Sequence, residues 1–210
     1  MTLRNLLNKF PLIPVLRFIK PKEVLAIAEI LINKGFECIE IPMNSPEPLK
    51  SIQMLLQQYG HRALIAAGTV SCVDDVNKIA DVGGHMIVMP HTDINIITAA
   101  KQRNLSCMPG FCTLSEGFAA IAAGADGLKL FPAQYNAPTI LKAFRAVLPK
   151  DVLVLPTGGI QPEDIEAYYQ AGASGFCLGS ALYRPGDTPE LVSKKAAVFI
   201  AAIRQLGQLK

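Results

Sequence analysis

A single lysine interrupts one of the most apolar segments of this 210-residue chain. Lys129 lies in G-A-D-G-L-K-L-F-P, between Leu128 and Leu130 and just before Phe131. An amine removed from water is more easily neutral, and a neutral amine can attack a ketone to form a Schiff base. The alternative is a structural ion pair with an acidic neighbour. The segment therefore indicates either nucleophilic amine chemistry or a buried salt bridge.

A glutamate occupies a comparable position in C-I-E-I-P. Glu40 shares one face of the predicted strand with Cys38, while Ile39 and Ile41 share the other face. Carbon–carbon chemistry on a Schiff base needs a proton shuttle near the substrate α-carbon, and a carboxylate can supply it. Glu40 is therefore a candidate acid–base group. Its alternative role is that of a counter-ion for Arg17 or Lys129.

Glycine-rich turns provide a third candidate feature, an anion site. Residues 156–160 read P-T-G-G-I and residues 178–180 read L-G-S. Backbone amides in such turns, with the N-terminus of a short following helix, can bind a phosphate. Ordinary tight turns would use the same residue types. The candidate phosphate-binding residues are Gly158, Gly159, Gly179 and Ser180, and Thr69 is a candidate ligand for a second anionic group.

Eight short apolar runs alternate with eight segments of helical periodicity. The predicted strands are 12–16, 37–41, 63–67, 85–89, 105–108, 127–130, 152–155 and 175–178. The predicted helices are 21–34, 46–59, 73–82, 93–103, 114–123, 138–148, 162–171 and 189–206, with an extra helix over 2–9. Strict alternation in so short a chain predicts one α/β domain over residues 1–210, a (β/α)8 TIM barrel of near-minimal size. An open doubly wound sheet is the alternative.

Residues at the helix ends support these boundaries. Thr113 and Glu116 form a predicted capping box. Prolines fall at predicted helix starts, where no hydrogen-bond donor is lost: Pro21, Pro46, Pro138, Pro162 and Pro189. Glycines fall just beyond predicted helix ends, where the left-handed conformation is common: Gly35, Gly60, Gly83, Gly124 and Gly172.

The barrel prediction has a direct consequence for the polar residues of the strands. Catalytic groups of such barrels come from the carboxyl ends of the strands, and side chains alternate between the barrel interior and the helices. If the apolar residues face the helices, then Arg17, Glu40, Lys129 and Thr157 point into the barrel. Buried charges are costly unless they are paired or functional. The pattern therefore predicts a polar site at one end of the barrel.

The composition excludes several classes of protein. Half of the residues are hydrophobic and 18% are charged, which is typical of a globular chain and not of a disordered chain or a coiled coil. The net charge is only +3, so we expect no nucleic-acid partner. No apolar run reaches the length of a membrane span. Five cysteines without a C-x-x-C pair and three unclustered histidines predict a cytoplasmic protein with no metal site.

With these residues in place, the chain resembles the pyruvate-dependent class I aldolases of the 2-keto-3-deoxy-6-phosphosugar acids. The resemblance extends over nearly the whole chain and rests on a set of motifs. These are E-I-P-M-N-S-P (40–46), A-G-T-V (67–70), M-P-H (89–91), P-G (109–110), L-K-L-F-P-A (128–133), P-T-G-G-I (156–160) and L-G-S-A-L-Y-R-P-G (178–186). The resemblance implies that Lys129 is the Schiff-base nucleophile and that Glu40 is the proton shuttle. It also implies phosphate binding at the glycine turns and carboxylate binding at Thr69.

Two branches of that family differ at a few positions. The phosphogalactonate type resembles this chain in Asn44-Ser45-Pro46, in Arg17 at the end of the first strand, and in the terminal L-Y-R-P-G. Thr157 instead resembles the phosphogluconate type, in which a threonine stands where the galactonate type often has valine. The resemblance therefore favours the galactonate epimer as substrate and leaves the gluconate epimer as the alternative.

The implied reaction is the reversible cleavage of 2-dehydro-3-deoxy-6-phosphogalactonate to pyruvate and glyceraldehyde 3-phosphate. It requires no cofactor, because the imine itself accepts the electrons. The family resemblance also implies a homotrimer. Two more remote functions use the same residues: a phosphosugar isomerase or epimerase, which forms no covalent intermediate, and a non-catalytic phosphometabolite-binding protein.

Overall fold

Short strands, buried almost throughout, alternate with helices along the chain in the computed structural model, which describes residues 2–207. The strands are β1 (Leu12–Pro14), β2 (Cys38–Pro42), β3 (Leu64–Gly68), β4 (Met86–Val88), β5 (Ser106–Met108), β6 (Gly110–Phe111), β7 (Leu128–Leu130), β8 (Val154–Pro156) and β9 (Phe176–Leu178). The helices are α1 (Leu3–Lys9), α2 (Pro21–Asn33), α3 (Pro48–Tyr59), α4 (Val73–Asp81), α5 (Ile94–Gln102), α6 (Leu114–Ala122), α7 (Pro138–Arg145), α8 (Ile165–Gln170) and α9 (Pro189–Gln205). Single 3₁₀ turns lie at Ala133–Tyr135 and Pro162–Asp164.

The strands close into a parallel barrel. The first and last strands pair directly, with Leu12 opposite Phe176. Single bridges join Val15 to Glu40 and Thr157 to Cys177, which links the remaining edges. Segments β5 and β6 are one barrel strand interrupted at Pro109, which has no N–H to donate to the ladder. The (β/α)8 prediction is confirmed, and the pairing of β1 with β9 excludes the open sheet.

The apolar residues form two layers on opposite sides of the strands. Strand residues that face outward, such as Ile39 and Leu128, pack against the surrounding helices in the larger cluster. Their neighbours point inward and fill the barrel with a smaller cluster that includes Ile13, Cys38 and Cys177. This alternation follows from the period of two in a strand, and it is the parity that the sequence predicts.

The extra N-terminal helix closes the amino end of the barrel. Leu3, Leu6 and Leu7 on α1 are buried and belong to the interior cluster. Thr2 caps the helix, because its hydroxyl accepts a hydrogen bond from the Asn5 amide at 3.2 Å. The helix predicted over residues 2–9 is therefore present, and its apolar face leaves only the carboxyl end of the barrel open to ligands.

Most of the predicted helix boundaries agree with the structure to within one residue. Helix α7 ends at Arg145 and not at Leu148, because Pro149 disfavours a helical conformation of the residue before it. Helix α8 begins at Ile165 and not at Pro162, because the first turn is 3₁₀.

The capping box of Thr113 and Glu116 is formed. Helix α3 begins at Pro48 and not at Pro46, because Glu47 adopts a left-handed conformation with φ 44° and directs the chain into the helix only afterwards. Gly60 is right-handed at φ −59°, unlike the other four predicted stop glycines, which have positive φ.

The length and hydropathy of the described helices show whether any of them could span a membrane. None of the helices within residues 2–207 is both long enough and apolar enough to cross a bilayer. The first residue and the last three residues of the predicted domain, 1 and 208–210, lie outside the described part of the chain.

Candidate active site

One cavity of about 600 Å³ opens at the carboxyl end of the barrel. Side chains and backbone from the ends of several different strands line it, as the geometry of such a barrel predicts. Eight of the nine predicted site residues are among its lining: Arg17, Thr69, Lys129, Thr157, Gly158, Gly159, Gly179 and Ser180. The ninth, Glu40, is not on the cavity wall. It lies inside the barrel, in the bridge to the lining residue Val15.

Lys129 is held in the middle of β7 with its amine at the cavity. Its backbone N–H donates to the Pro109 carbonyl at 2.9 Å, and its side chain is only 3% exposed. The amine lies 5.3 Å from the centroid of the Phe131 ring, within the range of a cation–π contact. No carboxylate of the described residues lies within salt-bridge distance of it. The predicted alternative, an ion pair with Glu40, is therefore not formed.

Glu40 is fully buried, and neither oxygen of its side chain has a hydrogen-bond partner in the described structure. An unpaired polar group at such depth is unfavourable and calls for an explanation. Strands β2 and β7 are the second and sixth strands around the barrel, which places Glu40 and Lys129 on opposite walls. The two groups thus face a common interior space without contacting each other.

The buried carboxylate affects two thiols of the interior cluster. Burial raises the pKa of Cys177 to about 12, and the negative charge of Glu40 contributes in the same direction. Burial and Glu40 likewise raise the pKa of Cys38 well above its usual value. These thiols stay protonated at neutral pH, so they do not compete with Lys129 as nucleophiles.

Arg17 and Thr69 form a small polar cluster on one side of the cavity. The Arg17 Nη1 donates to Asn44 Oδ1 at 3.1 Å and to Thr69 Oγ1 at 3.3 Å. Thr69 has φ 55°, an unfavourable conformation for a β-branched residue. Strained backbone of this kind persists where surrounding structure imposes it and is common at functional sites. A fixed guanidinium beside a hydroxyl is suited to binding a carboxylate, and Arg17 forms no ion pair with Glu40.

The two glycine turns face the cavity from β8 and β9. Gly158 and Gly159 have φ 97° and 73°, a backbone conformation that other residues rarely adopt and that forms the P-T-G-G turn. The L-G-S motif predicts a short helix after β9, but the chain forms a turn there instead. In that turn, the Leu182 and Tyr183 amides donate to the Gly179 carbonyl. A 3₁₀ turn does follow the first glycine pair, at Pro162–Asp164.

Arg184 also lines the cavity, together with the two glycine turns. Sequence reasoning did not identify it as a site residue. Its Nε donates to the Ser180 carbonyl at 3.1 Å, and its amide donates to Asp187 Oδ2 at 2.8 Å. Asp187 also accepts from Lys195 Nζ at 2.5 Å. Burial alone would raise the pKa of Asp187, but the hydrogen bonds from Lys195 and the Arg184 amide outweigh it and lower the pKa. The loop that carries Arg184 is therefore anchored by an ion pair.

The remaining lining is apolar or structural. Thr157 is 6% exposed, and its hydroxyl donates to the Leu155 carbonyl at 3.2 Å and also interacts with the Cys177 thiol. Phe18, Phe131 and Pro90 complete the walls. Sequence reasoning did not identify these walls, because apolar residues near strand ends carry no signal that separates lining from core. Within residues 2–207, no cluster of three or more acidic, histidine or cysteine side chains is arranged to hold a metal ion.

A structural role explains neither the unpaired carboxylate nor the buried lysine, and the fold and this site together define a (β/α)8-barrel enzyme. The family model described as KDPG and KHG aldolase matches residues 3–192. The chain belongs to this family.

Individual relatives agree with this assignment. The chain is 41% identical to the 2-dehydro-3-deoxy-6-phosphogalactonate aldolase of Escherichia coli strain K12, over 96% of this chain and 98% of the relative. It is 26% identical to the 2-dehydro-3-deoxy-phosphogluconate aldolase of Zymomonas mobilis, over 90% of this chain and 92% of the relative. A solved structure described as native KDPGal superimposes with a TM-score of 0.93 at 41% identity, covering 96% of this chain and 98% of that one.

Proposed function

We propose that the protein is a class I aldolase that reversibly cleaves 2-dehydro-3-deoxy-6-phosphogalactonate to pyruvate and D-glyceraldehyde 3-phosphate. The observation that carries the proposal is Lys129: a lysine that is 3% exposed, lines the cavity and has no ion-pair partner among residues 2–207. A lysine used for structure would be paired with a carboxylate at this depth. An unpaired amine at the cavity is instead available to a carbonyl substrate.

The covalent step forms and breaks bonds at three substrate carbons. Lys129 attacks the C2 ketone, and loss of water gives a protonated imine. The imine accepts the electron pair of the C3–C4 bond as that bond breaks, which leaves an enamine. The C4 hydroxyl loses its proton and becomes the aldehyde of glyceraldehyde 3-phosphate. Protonation of C3 and hydrolysis of the imine then release pyruvate and restore the amine.

Glu40 is the proton carrier for these steps. It accepts the proton of the C4 hydroxyl and later returns a proton to C3 of the enamine. Because Glu40 is fully buried and does not line the cavity, we infer that a water molecule relays the proton. The absence of any fixed hydrogen-bond partner supports this role, since its carboxylate oxygens remain free to take and release a proton.

The two anionic ends of the substrate fit the two polar groups of the cavity. The phosphate is assigned to the amides of Gly158, Gly159, Gly179 and Ser180, with the Arg184 guanidinium beside them. The substrate carboxylate is assigned to Arg17 and Thr69, which are already joined by a hydrogen bond. This orientation places the C2 ketone between the two ends, where Lys129 lies.

The choice of epimer rests on the relatives and on Asn44. Identity to the named galactonate enzyme is 41%, against 26% for the named gluconate enzyme. Asn44 accepts a hydrogen bond from Arg17, so the galactonate-type residues at these two positions form one connected pair. Thr157 is the residue that favours the gluconate epimer, because it resembles the threonine of the gluconate type and lines the cavity.

A comparison of the two epimers tests the proposal. We expect a higher kcat/KM for 2-dehydro-3-deoxy-6-phosphogalactonate than for the gluconate epimer, measured by coupling pyruvate release to a reductase. We expect Lys129→Met to abolish pyruvate release from both. A strong preference for the gluconate epimer would transfer the assignment to that substrate. Turnover of a phosphosugar that persists in Lys129→Met would indicate an isomerase or epimerase, and binding without turnover in wild type would indicate a binding protein.

We also propose that the chain forms a homotrimer in the cytoplasm. Exposed apolar side chains on and near neighbouring helices support self-association: Ile94, Phe118, Tyr135, Ile140 and Val147. Five free cysteines are consistent with a reducing compartment. Light scattering coupled to size exclusion tests the assembly, with an expected mass of three times the 22.6 kDa of the chain. A monomeric mass at micromolar concentration would contradict it.

A further inference from the structure

Gly68 ends β3 directly before Thr69, and its backbone does not require a glycine. It pairs with Pro42 in the parallel ladder, and its carbonyl accepts the Met43 amide at 2.8 Å. Its φ lies outside the left-handed region, in a strand conformation that any residue can adopt. A side chain at this position would therefore cause no backbone strain, so the reason for a glycine must lie in the space around it.

The three atoms nearest to that space all belong to the side chain of Glu40. A Cβ on Gly68 would lie 2.0 Å from Glu40 Oε1, 2.7 Å from its Cδ and 2.8 Å from its Cγ. Separations under 3.0 Å are not tolerated by real Cβ atoms, so the Oε1 atom would have to move by about 1 Å. Glu40 has no exposed surface and cannot move into solvent. Any added carbon at Gly68 would thus relocate the carboxylate within the barrel.

We infer that Gly68 is a positioning residue that sets the location of the Glu40 carboxylate for proton transfer. This inference rests on the proposed function, in which Glu40 carries the proton. Gly68 contributes no chemical group and does not line the cavity. It acts by the absence of a side chain, which lets the carboxylate lie against the end of β3 with both oxygens free.

The inference predicts a selective kinetic defect in Gly68→Ala. Proton transfer depends on the carboxylate position, and a misplacement of 1 Å can reduce a rate by about 10²-fold. We expect the exchange of the pyruvate C3 protons with D₂O, followed by NMR, to slow by about that factor. We expect KM for the phosphorylated substrate to change little, because the phosphate and carboxylate ligands are unaltered. An exchange rate equal to that of wild type would overturn the inference.

Two further variants separate positioning from general crowding. Gly127→Ala also adds a carbon to the barrel interior, but its Cβ would meet Leu3 on α1 at 3.1 Å, at the opposite end of the barrel from the cavity. Its exchange rate per folded molecule should equal that of wild type. In a Glu40→Ala background the atoms that clash are gone, so Gly68→Ala should have no additional effect on the residual exchange rate. An equal loss in both backgrounds would contradict a role through Glu40.

A crystal structure and a folding test of the Gly68 variants check the position of the Glu40 carboxylate independently of turnover. A crystal structure of Gly68→Ala should show a displaced Glu40 carboxylate, and an unchanged position would overturn the inference. If Gly68→Ala does not fold, the double variant with Glu40→Ala should fold, and failure of the double variant would overturn it as well. Failure of the proposed function has a different result: wild type itself would then neither exchange pyruvate protons nor form a Lys129 adduct.

Discussion

Glu40 combines complete burial with two unsatisfied oxygens, and that combination opposes stability. Side chains retained for stability are normally paired at such depth, whereas acid–base groups must keep a proton site available. Lys129, on the opposite wall, is 3% exposed, and its amine lies beside a phenyl ring with no carboxylate of the described residues within salt-bridge distance. At the scale of single residues, the site therefore differs from the core because its buried charged groups have no ion-pair partner in the described structure.

Glu40→Gln tests this account with two measurements on one variant. We expect kcat to fall by about 10²–10⁴, the usual loss when an acid–base group is removed. We also expect the free energy of unfolding to be at least as large as in wild type, because a neutral amide is less costly to bury than an unpaired carboxylate. Steady-state kinetics and urea denaturation provide the two values. An unchanged kcat, or a marked loss of stability, would make Glu40 a structural residue.

Thr157→Val tests the residue that disagrees with the galactonate assignment. Thr157 lines the cavity, and its hydroxyl donates to the Leu155 carbonyl and interacts with the Cys177 thiol. A hydroxyl has two acceptor lone pairs, so it can also accept a hydrogen bond from a substrate hydroxyl. Removing the hydroxyl should shift the ratio of kcat/KM further toward the galactonate epimer, by about five- to tenfold for one hydrogen bond of about 1 kcal/mol. A ratio that does not change would show that Thr157 takes no part in the discrimination.

At the scale of elements, His85 connects β3 to the segment that leads into β4. Its Nδ1 accepts the Ile65 amide at 3.1 Å, and its own amide donates to the Ile65 carbonyl at 3.1 Å. An imidazole nitrogen can accept only when it is not protonated. Burial lowers the pKa of His85 below its usual 6.5. The neutral form of the ring is therefore part of how these two strands are held together.

This linkage predicts a pH dependence of stability. The unfolded state takes up the proton first as pH falls, so the contribution of His85 is complete above about pH 6.5 and is lost as pH falls through the folded-state pKa. Thermal unfolding measured between pH 7 and pH 5 should show that the stability of wild type decreases as the pH falls. In His85→Asn, whose side-chain oxygen can accept the same amide, this slope should be smaller.

His61→Asn provides the matched control. His61 is exposed and forms no hydrogen bond or ion pair in the described structure, so its replacement should leave the slope at the wild-type value. Identical slopes in wild type, His85→Asn and His61→Asn would contradict the account of the β3–β4 linkage.

The elements also show which features a sequence can predict. The inward orientation of Lys129 and Glu40 could be predicted, because alternation along a strand is a local property of the backbone. The start of α3 could not, since two prolines lie two residues apart and only the conformation of Glu47 selects Pro48. Both prolines satisfy the same local preference, so the choice depends on how the preceding loop packs.

Contacts that follow no periodic pattern account for the site features that sequence reasoning missed. Arg184 belongs to the motif L-G-S-A-L-Y-R-P-G. Its place beside the glycine turns depends on the ion pair between Lys195 and Asp187, which are eight residues apart. The role of Gly68 depends on where the Glu40 carboxylate lies on the neighbouring strand. Neither relationship follows the period of a helix or a strand, so the hydrophobic and capping patterns of the sequence could not reveal it.

At the scale of the whole molecule, the two ends of the barrel differ in structure and in their access to ligands. The amino end is closed by the three buried leucines of α1, and the carboxyl end holds the cavity. The lining residues come from the ends of several strands, so the site exists only once the barrel has closed. Lys129 lines the same cavity as the proposed carboxylate and phosphate ligands, so these contributions meet in one site.

Reductive trapping of that lysine tests the central claim most directly. The protein is incubated with pyruvate and sodium borohydride, and the modified residue is located by peptide mass spectrometry, with Lys129→Met as the control. The account predicts one reduced pyruvyl adduct per chain, on Lys129, and none in Lys129→Met. An unmodified wild-type protein that still cleaves the phosphosugar acid, or an adduct on another lysine, would contradict it.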